Sequence, residues 1–343
     1  MSAVVRALNL RAASEAPRPS GELFRPHVEG RRYTTSHYNV VIPDLPEPHR
    51  FLGCAVFIGR TGTRAFDLDH SVAGSPRRTA TLAFGTAATA PNWFSTYSTR
   101  DDCVLRADGS LLRFGEDLEI VGRFPEYRVI AHRPGFDLDI DVACAEQITW
   151  FARSAVYDHY GFPARYRGTF SWQGEQRPVH GILSLEHARA MTLSAIADRT
   201  VPNALKLPCD FFTYHVLAIA PDTLLMLTDV QALGVPVLTT AYVKAVDGSG
   251  SRHVHGVSFE VLEMRDEPEL APDGAATFVP SRFRWRITED DRPTTEIVGT
   301  PDTRLIYGLG RGWLGGYRYE GQHRGVAVAG NAYFEYVDRR GDR

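Results

Sequence analysis

The chain has 343 residues, 43% hydrophobic and 23% charged, enough apolar material for a sizeable core and too little charge for a disordered chain. Lys+Arg 38 against Asp+Glu 41 gives a net charge of -3, without the basic excess of a nucleic-acid binder. No run of about 18 apolar residues occurs, so no membrane insertion is expected. Arg6 and Arg11 interrupt the N-terminal apolar stretch, so no secretion signal is read and the expected location is cytoplasmic. Cys54, Cys103, Cys144 and Cys209 stand far apart, which fits buried free thiols better than a zinc ribbon or a redox dithiol.

In chain order, an N-terminal arm is expected over residues 1–26. Leu52–Ile58 and Thr79–Phe84 are apolar runs of strand length. Between them, Phe66-Asp67-Leu68-Asp69-His70 would put Asp67 and Asp69 on one strand face, where one carboxyl raises the pKa of the other. An Asp-rich turn with solvated carboxylates is the alternative. Phe136, Leu138, Ile140, Val142 and Cys144 alternate with Asp137, Asp139 and Asp141, the period of a strand with one apolar and one wet face. Ala145–Val156 is ambiguous, and Tyr157-Asp158-His159-Tyr160-Gly161 carries an acid–imidazole pair. A hairpin follows over Tyr166–Trp172, turning at Gln173-Gly174-Glu175, and the next run ends in Glu186-His187-Ala188-Arg189. Ala188–Asp198 is the best short helical candidate.

A break near Asp198–Pro208 divides the chain into β-rich halves, 27–198 and 199–343. In the second half, Leu224–Leu227 and Val257–Val261 read as strands. Phe283, Trp285 and Ile287 alternate with Arg282, Arg284 and Arg286, and Ala332, Phe334 and Tyr336 form a further alternating set. Turn signals at Ala107-Asp108-Gly109, Asp247-Gly248 and Pro272-Asp273-Gly274 punctuate the runs. The fold class read from this is all-β and antiparallel, built as sandwiches or barrels.

Cofactor motifs are missing. In Gly308-Leu309-Gly310-Arg311-Gly312-Trp313 the third glycine of a dinucleotide fingerprint falls on Trp313, without βαβ context, so a loop before the last strands is expected. His253-Val254-His255 has no nearby acidic or cysteine partner, so no metal site is assigned. A carboxyl beside an imidazole at the end of an apolar strand suits acid–base work, so Glu186-His187 is the leading pair. On a strand the two face opposite sides, and the alternative is that they tie the strand end to the backbone.

The hairpin followed by Val179-x-Gly181 and Glu186-His187 resembles the hallmark of the carotenoid 1,2-hydratase (CrtC/AttH) lipocalin-like family. Tyr319-Glu320-Gly321 and Tyr333-x-Glu335 are similar to that family's closing pattern, and Asp210–His215 with Leu224-Leu225-Met226 to the strand pair opening its second domain. Glu186 stands where the family has Asp, and Ala188-Arg189 where it has an aromatic and a glycine. The resemblance implies two tandem lipocalin-like antiparallel β-barrels with an apolar pocket at or between them. It also implies a cofactor-free hydratase, lyase, isomerase or cyclase acting on a lipophilic small molecule such as an isoprenoid or steroid. Glu186 is the expected proton donor, with His187 orienting it or placing water and Asp67 or Asp69 assisting. Trp93, Tyr97, Phe211, Phe212, Tyr214, Trp313, Tyr317, Tyr319 and Glu320 are the expected ligand-binding residues. A non-catalytic binder of an apolar molecule, or an assembly protein with packed barrels, are the other readings.

Overall fold

Alternating side chains build two antiparallel sheets, one after the other along the chain, in a computed structural model that describes residues 23–30, 32–91, 93–192 and 198–341. The expected arm therefore lies outside the described residues up to residue 22. The first sheet contains β1 (Thr35–Leu45), β2 (Arg50–Ile58), β3 (Thr79–Thr86), β4 (Phe94–Ser98), β5 (Cys103–Leu105), β6 (Leu111–Phe114), β7 (Leu118–Arg123), β8 (Glu126–Arg133), β9 (Phe136–Cys144), β10 (Thr149–Arg153), β11 (Tyr157–Trp172) and β12 (Glu175–Ala190). Its order is β4-β3-β2-β1-β12-β11-β9-β8-β7-β6-β5, with β10 paired to β11. It curls into a nearly closed barrel. Side chains knit the gap: Tyr97 on β4 donates to Asp117, and Arg133 on β8 reaches both Asp117 (2.8 Å) and Ser95 (3.0 Å).

The second sheet contains β13 (Cys209–Ala220), β14 (Thr223–Ala232), β15 (Val235–Ala245), β16 (Gly250–His253), β17 (Val257–Met264), β20 (Pro280–Glu289), β21 (Arg292–Pro301), β22 (Ile306–Leu309), β23 (Gly312–His323) and β24 (Val326–Asp338). Two short strands, β18 (Glu269–Leu270) and β19 (Ala276–Thr277), form a separate ribbon. The order of the second sheet is β16-β15-β14-β13-β24-β23-β21-β20-β17, with β22 on β23. Strand for strand, this repeats the first sheet: β13 takes the place of β1, β24 of β12, β23 of β11 and β22 of β10. The chain is thus a tandem of lipocalin-like units, the second a half-barrel.

The alternation fixes which side chains meet. On β1, Tyr38, Val40 and Ile42 enter the first barrel with Leu183 and Leu185 of β12. On β13 and β24, Leu217, Phe334 and Tyr336 enter the second. The opposite faces are not wet. Val41, Phe51, Ala55 and Ile182 of the first sheet pack against Tyr214, Val216, Met226, Leu314, Tyr333 and Val337 of the second, a third apolar core between the units. Each large apolar side chain so buried contributes about 1.5–3 kcal/mol.

No α-helix occurs among the described residues. Ala188–Ala190, read as the start of a helix, instead close β12, because register pairing with Thr35–His37 of β1 outweighs local propensity. Residues 193–197 of that candidate lie outside the described residues. The ambiguous Ala145–Val156 segment contains β10.

Candidate functional site

Glu186 and His187 are neighbours on β12, and the strand turns them to opposite sides. His187 enters the first barrel, its ring stacked on Tyr38 at 4.6 Å. Glu186 enters the core between the units, where it meets Glu335 of β24. Both carboxyls are buried, at 1% and 2% exposure.

Their hydrogen bonds cross between the sheets. Asn39 is the register partner of Glu186 on β1, yet its Nδ2 donates to Glu335 Oε1 at 2.8 Å. Tyr214 is the register partner of Glu335 on β13, yet its hydroxyl donates to Glu186 Oε1 at 2.5 Å. Each glutamate also takes a hydroxyl from two residues earlier on its own strand, Ser184 for Glu186 (2.6 Å) and Tyr333 for Glu335 (2.8 Å). The surroundings then diverge. Beside Glu186 on β11 stands Gly161, where a Cβ would fall 2.8 Å from Glu186 Cγ, so only glycine leaves room for the carboxylate. Beside Glu335 on β23 stands Leu314. His159 Nε2 lies 3.4 Å from Glu186 Oε2, and its side chain is 19% exposed, which makes it the member of the cluster that reaches solvent.

Burial pushes the Glu186 pKa up, but the His159 imidazole and the Ser184 and Tyr214 hydroxyls outweigh it, and the net shift is downward. For Glu335, burial and then the neighbouring Glu186 charge outweigh the bonds from Tyr333 and Asn39, and its pKa rises to about 8. The pair therefore divides into a carboxylate, Glu186, and an acid, Glu335. Both donors to Glu335 converge on Oε1. Asn39 Oδ1, buried in the same cluster, accepts no hydrogen bond among the described residues.

Several expectations are redrawn. Glu186, the expected proton donor, is shifted toward the carboxylate, and its neighbour Glu335 toward the acid. Asp67 and Asp69 share no strand face; they lie in a loop. Asp67 Oδ1 accepts the Thr61 amide (2.8 Å) and hydroxyl (2.9 Å) and the Gly62 amide (3.1 Å), while buried Lys206 bonds Asp69 and stands 3.7 Å from Asp67. These contacts clasp the inter-unit linker to the first unit and stand apart from the glutamate pair. The expected ligand-binding aromatics line no single pocket, because alternation deals them to three compartments. Trp93 packs on Phe84 and Phe136 in the first barrel, and Tyr97 bonds Asp117 across its gap. Tyr214 and Phe212 face the core between the units. Phe211, Trp313, Tyr317 and Tyr319 fill the second barrel. Glu320 is exposed on β23.

Glu335, Asn39 and Gly161 were not singled out as site residues. Glu335 was visible within Tyr333-x-Glu335, but the apolar alternation of Ala332, Phe334 and Tyr336 assigned it to a wet face. His159, ranked below Glu186-His187, is brought to Glu186 because β11 pairs with β12.

A family profile matches residues 55–343. The chain belongs to the DUF6670 family. That family is described as one of unknown function, and no curated protein matches the sequence. Among solved structures, this DUF6670 protein is similar to an AttH-like protein from Nitrosomonas europaea, at 14% identity and TM-score 0.62 over 95% of this chain and 98% of that one. It is also similar to kievitone hydratase from Nectria haematococca, at 10% identity and TM-score 0.55 over 97% and 99%. At such identities the likeness shows the fold, which is of the CrtC/AttH lipocalin-like type. No helix among the described residues is long and apolar enough to cross a membrane.

Proposed function

We propose that this DUF6670 protein is an acid–base enzyme that needs no cofactor and adds water to, or removes it from, a carbon–carbon double bond of a lipophilic small molecule. The observation that carries this reading is the buried Glu186–Glu335 pair, whose environments push one carboxyl toward the anion and the other toward the acid. Glu335 delivers its proton to one carbon of the double bond. A water oriented by Asn39 Oδ1 bonds through oxygen to the other carbon and gives a proton to Glu186. Proton return from Glu186 to Glu335 restores the pair, and the reverse sequence is a dehydration. The hydratase among the similar folds and the apolar walls supplied by Tyr214, Val216 and Met226 support a lipophilic substrate.

The test is incubation with apolar molecules recovered from the freshly purified protein by native mass spectrometry, in heavy-oxygen water, with product mass as readout. Label in the product that disappears in Glu335→Gln and in Glu186→Gln is the expected result. Turnover that survives Glu335→Gln removes the acid from the reading. A second reading, an assembly protein with packed barrels, is favoured by the near-complete burial of Asn39, Ser184, Tyr214 and Tyr333. Recovery of no apolar molecule from the purified protein supports that alternative.

A further inference from the structure

The first barrel holds a second feature, on the opposite face of β12 from Glu186. Residues 23–27 precede β1 and belong to no strand, yet Leu23 and Phe24 are buried. The Phe24 ring sits among five rings from four strands: Tyr127 of β8 (5.0 Å), His187 of β12 (5.7 Å), Tyr160 and Phe162 of β11 (6.0 and 6.2 Å) and Tyr38 of β1 (6.3 Å). Sheet pairing does not hold the segment there. The Phe24 amide donates to the Tyr160 hydroxyl (3.0 Å), the Tyr38 hydroxyl donates to the Phe24 carbonyl (2.9 Å), and the Ser36 hydroxyl donates to the Pro26 carbonyl (2.8 Å). Phe24 and His27 have φ values of 56° and 50°, in the left-handed region that non-glycine residues rarely adopt. The segment is thus a short strap, strained at two residues and tethered by side-chain hydroxyls.

One wall of this cage carries an unmet demand. His187 Nδ1 lies 3.0 Å from the His37 carbonyl and must donate to it, so Nδ1 carries the hydrogen and Nε2 is a bare acceptor. Burial, the first cause, holds the ring neutral, and the nearby Arg189 guanidinium adds to it. With Nδ1 anchored to the β1 backbone, the far edge of the ring points into the barrel, and Nε2 is buried without a hydrogen-bond partner among the described residues. Phe24 fills the cage in shape but brings no donor to that nitrogen.

We propose that residues 23–27 are a displaceable strap, and that the cage beneath Phe24 binds a single aromatic ring bearing a hydroxyl, which donates to His187 Nε2. The Tyr38 and Tyr160 hydroxyls, released from the strap backbone, supply further polar contacts at the rim. This site is separate from the glutamate pair, since adjacent residues of β12 face opposite ways, and it stands whether or not that pair is catalytic.

The test uses the full chain with 4-methylphenol and toluene, one-ring molecules that differ in the hydroxyl. Phe24→Ala empties the cage and keeps the backbone tethers. In isothermal titration this variant binds 4-methylphenol about tenfold more tightly than both the unaltered protein binds it and the variant binds toluene, and adding His187→Phe erases the preference over toluene. Equal binding of the two probes, binding of neither, or a preference that survives His187→Phe overturns the proposal. A measurement on the unaltered protein covers the case in which Phe24→Ala does not fold. Chymotryptic cleavage after Phe24 accelerates severalfold in saturating 4-methylphenol and not in toluene, whereas unchanged cleavage overturns displacement of the strap.

Discussion

Glu186 and Glu335 occupy equivalent positions of two equivalent strands, so each unit contributes one carboxyl to a pair that neither unit holds alone. Each also has its partner strand turned to serve the other: β1 carries the donor for Glu335, and β13 the donor for Glu186. Charge state, hydrogen bonding and the joint between the units are coupled at one point.

Stability should fall with rising pH through this point. Folded Glu335 keeps its proton to about 8, whereas its ordinary value is 4.5. Between these values the folded chain binds more protons than the unfolded one. Its contribution is fully present below the ordinary value and is lost as pH rises through the folded value, at no more than about 1.4 kcal/mol per pH unit. Urea denaturation from about pH 5 to about pH 9 should show Glu335→Gln gaining on the unaltered protein as pH rises. A constant difference between the two curves would contradict the assignment of the proton.

The hydroxyls on Glu186 should act as a unit. Tyr214→Phe and Ser184→Ala each remove a donor from Oε1, and each should cost about 1–3 kcal/mol of folding stability. Because they share one acceptor, a double-mutant cycle should be non-additive by about 0.5 kcal/mol or more. Strict additivity would mean that they do not meet at one oxygen.

The packed joint predicts a steric effect at Gly53. A Cβ there would fall 2.6 Å from Tyr333 Cε2, across the interface between β2 and β24. Gly53→Ala should destabilise by about 1–3 kcal/mol through overpacking. Thermal denaturation of Gly53→Ala combined with Tyr333→Ala should show a smaller cost of the alanine than in the unaltered background, and an equal cost would deny the contact.

Lys206 gives a prediction away from the site. Its side chain is fully buried against Asp67 and Asp69. Lys206→Met should cost about 3–5 kcal/mol, because a buried carboxylate loses its counter-charge. Adding Asp67→Asn should recover part of that loss in chemical denaturation.

The β character was legible because period-two alternation is local: Phe136–Cys144 coincides with β9, and the signals at Gly109, Gly174, Gly248 and Gly274 all fall in turns. The second buried face was not legible. Tyr333 and Glu335 occupy the positions that a one-sided strand gives to water, and only the packing of one sheet on the other takes them inside. Glu186 was found because an acid beside an imidazole is a local signal. Its partner lies 149 positions away by the residue numbers, and its donors Asn39 and Tyr214 belong to strands that no local pattern joins to it. The same distance hid the division of roles, since the shift of each carboxyl depends on groups from the other unit.

The tandem arrangement also bears on symmetry breaking. Two identical subunits meeting on a dyad would present identical carboxyls, and neither could be singled out to keep the proton. Joining the copies in one polypeptide lets their flanks drift independently, glycine at 161 in one and leucine at 314 in the other. A degenerate pair is thereby resolved into two groups whose surroundings shift them in opposite directions.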